Sequence, residues 1–359
     1  MADLGVTLCG IELENPIVVS SGPFTWSAEG IQAAFAAGAA AAATKTIRRE
    51  PTVNPVPHIA ISEGGGLLND ELCSDLPLER WIEEELPALA GREGVLIVNT
   101  GQTADEVAEL AGPLVEAGAD ILEVVSYEPE DPAPMVAAAK KAVSIPVLAK
   151  LSANWANLAQ VVQDCVDAGV DGFTAIDSIG PVLRIDVETG RPLLGSYAWL
   201  SGQPIRPIAQ RVVADICSRY DLPVVGTGGV GRPEHVVEMI MAGATVVGVH
   251  TALLRQGLGW IERTLRRLDS WMDERAHTRL ADLRGIALPN LKRPKSYTPL
   301  GFGFDEEKCT ECGLCVRVCA YQARELLLGK KMVMQETLCR SCGLCVSVCP
   351  TRALWIQQG

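Results

Sequence analysis

Residues 223–253 read PVVGTGGVGRPEHVVEMIMAGATVVGVHTAL, and this stretch decides the fold. Two short Val-rich runs, Pro223–Gly226 and Thr245–Val249, flank a helical pattern, Pro233–Ala242, that closes on an Ala-Gly pair where a helix end favours glycine. A strand, a helix and a second strand in so short a span make a parallel β/α unit. Each run also ends in polar or glycine residues: Thr227-Gly228-Gly229 after the first and His250-Thr251 after the second.

The same alternation extends back to Asn15. Further strands are predicted at Pro16–Ser20, Ala40–Thr44, Val95–Val98, Ile121–Val125, Pro146–Ala149 and Gly172–Ile176, with helices such as Ala104–Ala117 and Ala133–Val143 between them. Eight β/α units in about 240 residues predict an α/β fold of the TIM (β/α)8 type rather than an open doubly wound sheet. A generic α/β domain in which one or two of these runs are loops stays open. In a TIM barrel the active site lies at the C-terminal strand ends. The residues there are Ser20-Ser21-Gly22, Lys45-Thr46, Asn99, Ser126-Tyr127-Glu128, Lys150, Asp177-Ser178 and the two groups named above. Two lysines and a glycine pair suggest an anion site. The GTGGVG run at Gly226–Gly231 is off register for a dinucleotide fingerprint and falls at strand seven, where TIM barrels hold phosphates.

The chain of 359 residues is 48% hydrophobic and carries 31 Lys+Arg against 44 Asp+Glu, a formal charge of −13. It has ample apolar content for a core, and its acidity argues against a nucleic-acid surface. The longest apolar run, Ala33–Ala43, is too short to span a membrane and is broken by Gly38, and no secretory signal is visible. The expected location is cytoplasmic. His58, His235 and His277 read as solvated or helix-surface residues, and Glu83–Glu85 as a wet helix face.

Eight of the 12 cysteines fall after residue 308. There EEKCTECGLCVRVCAYQAREL (306–326) is answered thirty residues later by QETLCRSCGLCVSVCPTRALWI (335–356), a tandem repeat that implies two similar halves about a pseudo-twofold axis. The domain plan is therefore a barrel over 1–285, a Pro-, Gly- and Lys-rich linker over 286–303 and a small α+β domain over 304–359. Cys309, Cys312, Cys315 and Cys319 are spaced C-x2-C-x2-C-x3-C, as are Cys339, Cys342, Cys345 and Cys349. This tail closely resembles the bacterial two-cluster ferredoxin. The resemblance implies two [4Fe-4S] clusters with crossed ligands: Cys309, Cys312, Cys315 and Cys349 for one, Cys339, Cys342, Cys345 and Cys319 for the other. Cys9, Cys73, Cys165 and Cys217 are scattered and read as buried small apolar residues or idle thiols.

Taken in order, NPIVVSSGPF, TKTIRREPTVNPVP, GLLN, IVNTG, AKLSANW, LSGQPIRPIA, the 223–253 stretch and LPN resemble the dihydroorotate and dihydropyrimidine dehydrogenase superfamily of FMN barrels. With the ferredoxin tail, the chain looks most like the iron–sulfur catalytic subunit of dihydropyrimidine dehydrogenase. The resemblance implies that Lys45 and Lys150 lie near the flavin ring, that Asn99 and Thr46 hydrogen-bond it, and that Ser21-Gly22 pass beneath it. It assigns the FMN phosphate to Gly228, Gly229, His250 and Thr251, and adds Ser178 and Gly202 to the cofactor site.

The chain departs from these relatives after strand four. Where the superfamily carries Asn-Leu-Ser-Cys-Pro, with cysteine or serine as acid/base, this chain has Val125-Ser126-Tyr127-Glu128-Pro129. Glu128 falls at the acid/base position, with Tyr127 or a register-shifted Ser126 as alternatives. Of the pyrimidine-binding asparagines Asn69 remains, whereas Val125, Glu130 and Asp177 replace the others. A pyrimidine needs groups that donate and accept at once, so the expected substrate is a small molecule other than a normal pyrimidine.

The expectation is an FMN-dependent iron–sulfur oxidoreductase acting on a CH–CH or C=C bond beside a carbonyl, amide or ring. The rivals are a dihydropyrimidine dehydrogenase subunit and a non-catalytic electron-transfer subunit. No nicotinamide-binding domain is evident, so the clusters are expected to serve a partner flavoprotein or ferredoxin, in a homo-oligomer or hetero-complex.

Overall fold

The computed structural model describes residues 2–292, 301–327 and 332–357. Eight parallel strands close into a barrel: β1 Ile17–Val19, β2 Ala41–Ala43, β3 Val95–Thr100, β4 Ile121–Val124, β5 Val147–Leu151, β6 Gly172–Ala175, β7 Val224–Thr227 and β8 Val246–Val249. Neighbours pair in sequence order, and β8 closes on β1 through Val247 beside Ile17 and Val249 beside Val19. All eight strands coincide with runs read from the sequence.

The side chains alternate as a barrel demands. Ile17, Val19, Leu96, Val98, Leu122, Val124, Phe173 and Val247 face outward into the core shared with the helices. Val18, Ala41, Ala43, Val95, Ile97, Ile121, Leu148, Val225 and Val246 face inward. An antiparallel hairpin, Val6–Leu8 with Ile11–Leu13, plugs the interior from below, its Val6, Leu8 and Leu13 packing on the inward set. Full burial of each such side chain contributes about 1.5–3 kcal/mol.

Helices α1 Ala28–Ala36, α2 Ala104–Glu116, α3 Pro132–Ala142, α4 Leu158–Asp167, α5 Arg206–Cys217, α6 Pro233–Met241, α7 Thr251–Gln256 and α8 Trp260–Asp273 wrap the sheet. Their ends follow local rules: the Thr103 hydroxyl accepts the Glu106 N–H at 3.3 Å to start α2, and Gly118 (φ 122°) and Gly243 (φ 115°) follow α2 and α6 in a conformation that side chains avoid. Between β2 and β3 the covering helix is broken into turns at Leu78–Arg80, Trp81–Glu85 and Pro87–Leu89. Glu85 there is buried, not wet: its carboxylate accepts the Ala28 N–H at 2.7 Å and pairs with Arg80. His235 is likewise buried, accepting the Gly231 N–H at 3.2 Å, because the helix face that carries it turns into the core.

Two insertions, after β2 and after β6, build a four-stranded antiparallel sheet in the order Ile179–Val182, Ala198–Gly202, Gly66–Asn69, Ile59–Ile61. The sequence reading did not anticipate this sheet.

The chain divides into compact units Met1–Lys292 and Arg293–Gly359. The stretch read as a linker, 286–303, is ordered at both ends. Gly285 and Ala287 donate to the Ile240 and Met241 carbonyls at the end of α6, Leu288–Lys292 forms a turn, and Gly301–Phe304 is a strand. Residues 293–300 of that stretch lie outside the described residues.

In the second unit Gly301–Phe304 pairs with Leu354–Gln357 and Arg324–Leu326 with Met332–Met334, with short helices α9 Leu314–Arg317 and α10 Leu344–Ser347. The tandem repeat reappears in the backbone. Glu311 and Ser341 have φ of 53° and 54°, Gly313 and Gly343 71° and 79°, and Gln322 and Arg352 54° and 53°, each pair thirty residues apart.

Candidate functional site

A cavity of about 540 Å³ opens at the C-terminal ends of the barrel strands, and the inserted sheet contributes Leu67, Asn69, Gly180, Trp199, Ser201 and Gly202 to its wall. Strand periodicity explains its floor. Continuing the inward set one step along β4–β7 brings Glu123, Lys150, Thr174 and Thr227 into the barrel mouth, joined by Ser20 after β1, while Asn99 at the same step of β3 is fully buried beside Glu123 and is not one of the lining residues.

These groups hold one another. The Glu123 carboxylate accepts Asn99 Nδ2 at 2.8 Å and the Thr174 hydroxyl, while Ser20 Oγ meets Thr227 Oγ1 at 3.1 Å. Asn99 is also pinned through its backbone, its N–H on Thr44 Oγ1 at 3.0 Å. The amide of Asn99 is thereby oriented, and its Oδ1 is buried with no partner among the described residues. Burial pushes the Glu123 carboxyl up, against the pull of Lys150, Thr174 and Asn99. Burial pulls the Lys150 ammonium down, but Asp177 at 3.3 Å and Glu123 outweigh it and hold Lys150 above its ordinary value.

On the β8 side His250 Nδ1 bonds the Ser20 carbonyl at 2.6 Å, and its buried Nε2 has no partner among the described residues. Burial, aided by Lys150 and Lys45, lowers its pKa to about 4, so the ring is neutral near pH 7. It packs directly under Gly22, where an added Cβ would sit 2.5 Å from Nε2. Such close approach explains the glycine there. The imidazole is therefore a neutral wall of the cavity, which leaves the phosphate contacts expected of the His250-Thr251 pair to backbone N–H groups and the threonine hydroxyl. Thr251 Oγ1 meets Ser201 Oγ at 2.8 Å, and Gly228, Gly229 and Gly202 lie in the same wall. An orphaned acceptor on Asn99, lysines at two strand ends and a glycine-lined flank fit a flavin with a phosphate tail.

Elsewhere in the wall, Lys45 Nζ is held by Glu71 Oε1 at 2.8 Å, and Asn69 Nδ2 is spent on the Trp199 carbonyl at 3.2 Å. Ser21, Thr46, Asp177 and Ser178 also line the cavity. In the loop after β4, Ser126 Oγ donates to Asp131 Oδ2 at 2.9 Å and accepts the Glu128 N–H at 3.1 Å, so Ser126 braces the turn. Tyr127 and Glu128 line the cavity, the Tyr127 carbonyl being held by Trp155 Nε1 at 3.0 Å. Tyr127 is half exposed, but burial of its hydroxyl end, with Cys73 and Asp177 nearby, pushes the phenol up. Glu130 is exposed and does not line the cavity, lying on the outside of the turn that the Ser126–Asp131 bond closes. That corrects its assignment to the substrate.

Three participants were not read from the sequence. Glu123 stands out only as a lone charge in the apolar run ILEVV, Glu71 gives no signal, and Cys73 reads as a buried small apolar residue or an idle thiol, of which the structure bears out the burial. Cys73 is buried in the cavity wall, with Gln102 Nε2 at 3.5 Å from its sulfur and Tyr127 as a hydrogen-bond partner.

In the second unit Cys309, Cys312, Cys315 and Cys349 line one small cavity with Phe304, Leu326 and Leu354. At three of the other four cysteines a donor faces sulfur: Ala323 N–H to Cys319 at 3.3 Å, Ser341 N–H to Cys339 at 3.4 Å and Arg324 Nη2 to Cys345 at 3.4 Å. Such bonds suit thiolates that carry negative charge.

Residues 3–272 match the dihydroorotate dehydrogenase family and residues 303–356 a 4Fe-4S dicluster domain. The chain is similar to proteins named dihydroorotate dehydrogenase B (NAD(+)), catalytic subunit. With that of Bacillus pumilus it shares 33% identity over 69% of this chain and 85% of the relative. With that of Pelobacter propionicus it shares 31% over 79% and 98%, and with that of Methanothermobacter thermautotrophicus 29% over 79% and 98%. Nearly all of the last two relatives is spanned, while about a fifth of this chain lies outside the match.

Proposed function

The chain belongs to the dihydroorotate dehydrogenase family, an FMN- and iron–sulfur-dependent oxidoreductase acting on CH–CH groups, and from that premise we propose that its substrate is a small unsaturated carbonyl or amide compound other than a normal pyrimidine. The observation that carries this reading is the shortage of free carboxamides in the cavity wall. Asn69 donates to the Trp199 carbonyl, Asn154 is taken up by Ser178 and Gly180, and Val125 and Asp177 stand where amides were expected. A pyrimidine placed there would leave its ring donors and acceptors unpaired, which a binding site discriminates against strongly.

Bound FMN would supply hydride exchange with one substrate carbon. On this reading Asn99 Oδ1 accepts a ring N–H, Lys150 and Lys45 place positive charge near the ring, and Thr46, Ser21, Ser178 and Gly22 shape its surroundings. Gly202, Gly228, Gly229 and Thr251 hold the phosphate tail, with His250 walling the ring rather than charging it. The proton at the other carbon is handled by the loop after β4. Glu128 is the first candidate and Tyr127 the second, since Ser126 is engaged with Asp131. The clusters, each held by three cysteines of one run and the fourth of the other, pass electrons to or from a partner flavoprotein or ferredoxin in the cytoplasm, in a hetero-complex or homo-oligomer. No described helix is long and apolar enough to cross a membrane.

The test is turnover of the FMN- and iron-loaded protein with artificial electron carriers. Dihydrouracil and dihydroorotate should be turned over poorly beside acyclic enamides or enones. Brisk, tight-binding turnover of either ring would overturn the substrate claim, and native protein free of flavin would overturn the site.

A further inference from the structure

The charges around the cavity do not balance. Among the described residues that line it there are two cationic side chains, Lys45 and Lys150, and five carboxylates, Asp70, Glu71, Glu123, Glu128 and Asp177. His250 adds no charge near pH 7. Each lysine is already engaged. Lys45 meets Glu71 at 2.8 Å, with side-chain exposures of only 6% and 14%, and Lys150 meets Asp177 at 3.3 Å. Lys45 is fixed at the end of β2, its own N–H on the Thr25 carbonyl at 3.1 Å, while Glu71 arrives from the loop that follows the inserted strand Gly66–Asn69. Two separate segments are thus brought together to pair Lys45 with a carboxylate in the cavity wall.

We infer that Glu71 is a specificity-determining residue that closes Lys45 to carboxylate-bearing substrates and fits the site to a neutral or cationic unsaturated carbonyl or amide. The inference rests on the functional reading above and deepens it. A substrate carboxylate could reach Lys45 only by displacing Glu71, which would leave a poorly hydrated carboxylate without its partner, and breaking a buried pair in this way is strongly unfavourable. Specificity commonly comes from such a built-in penalty against the wrong ligand as well as from contacts to the right one. A carbonyl oxygen carries no net charge and can share the lysine without expelling Glu71. A substrate ammonium would meet an excess of carboxylates.

The experiment is isothermal titration of the FMN-loaded, iron-loaded protein with a matched pair of acyclic probes, fumaramate and its neutral amide fumaramide. It is run on the native chain, Glu71→Gln and Glu71→Asp, with Glu71→Ser as a second neutral variant should Glu71→Gln lose its flavin. The native chain should prefer fumaramide. Glu71→Gln should tighten fumaramate relative to fumaramide by roughly tenfold or more, the scale of coupling between close charges across a binding surface. Glu71→Asp keeps the charge and should keep the native preference. A native preference for fumaramate, no measurable fumaramate binding to either neutral variant, or equal behaviour of Glu71→Gln and Glu71→Asp would overturn the inference. The functional reading fails separately: rapid turnover of a dihydropyrimidine by the native chain would sink it while leaving the charge preference in place.

Discussion

The two units of this chain hold their shape by different means. The barrel buries a continuous apolar core from Ile17 to Leu283, and its cavity walls are fixed by protein contacts alone, Glu123 on Asn99 and Glu71 on Lys45 among them. Among its described residues the second unit has a core cluster of three buried residues, Met332, Cys345 and Leu354, and one of the three is a proposed cluster ligand. A domain this small seldom stands on so few apolar contacts. The lesson is that the barrel shapes a site for its cofactor, whereas in the second unit the cofactor stands in for the core.

The sharpest way to break that contrast is to remove the iron. Chelation should abolish protected structure across 301–357, read by hydrogen exchange, and leave the barrel amides protected, because metal–thiolate bonds supply folding energy outright where a core is lacking. Persistence of the 301–357 signals would show that the protein contacts suffice. On the crossed assignment Cys349→Ser should harm the site of Cys309, Cys312 and Cys315 more than that of Cys339, Cys342 and Cys345, which cluster spectroscopy would resolve.

Next in size are the loop variants. Glu128→Gln and Tyr127→Phe should leave flavin and iron contents unchanged, and whichever residue supplies the proton should lose roughly 10²–10⁴-fold in turnover. A modest loss in both would shift attention to the Cys73 thiol that meets Tyr127.

A preformed barrel site also predicts a cost for disturbing its orientation. In Glu123→Leu the acceptor that fixes the Asn99 amide is gone, and FMN should bind roughly 10–100-fold more weakly, in line with about 1–3 kcal/mol for a mispaired buried group. Unchanged affinity would mean that Asn99 is held by its backbone alone. The smallest effect concerns pH. Burial holds His235 and His250 down to about 4, from 6.5. As pH falls through 6.5 the unfolded barrel takes up protons that the folded one refuses, so stability should fall between 6.5 and 4 and this contribution should level off below 4. Melting scans of the apo barrel, with His235→Phe as the flattened comparison, would detect it. All four histidines of the chain precede residue 278, so the second unit should not share this dependence.

What the sequence revealed and concealed follows the same physics. The strands were legible because an inward and an outward residue must alternate along each of them, and the cysteine runs because a cluster fixes ligand spacing along the chain. The cavity was legible where it is made from strand ends, as with Lys45, Lys150 and Gly228. It was illegible where two distant loops meet, since nothing near Lys45 announces Glu71 twenty-six residues later. Glu130 was misplaced for a related reason: a single Ser126–Asp131 bond decides where that turn points, and hydrogen bonds between loop side chains leave no periodic trace.

The N-terminal hairpin that plugs the barrel from below has a further consequence. A vessel stoppered at one end fills and empties in order. On the proposed reading the flavin lodges deepest, so flavin loading should precede substrate, and a bound substrate should delay flavin exchange. Product and fresh substrate then use one doorway and must take turns at it.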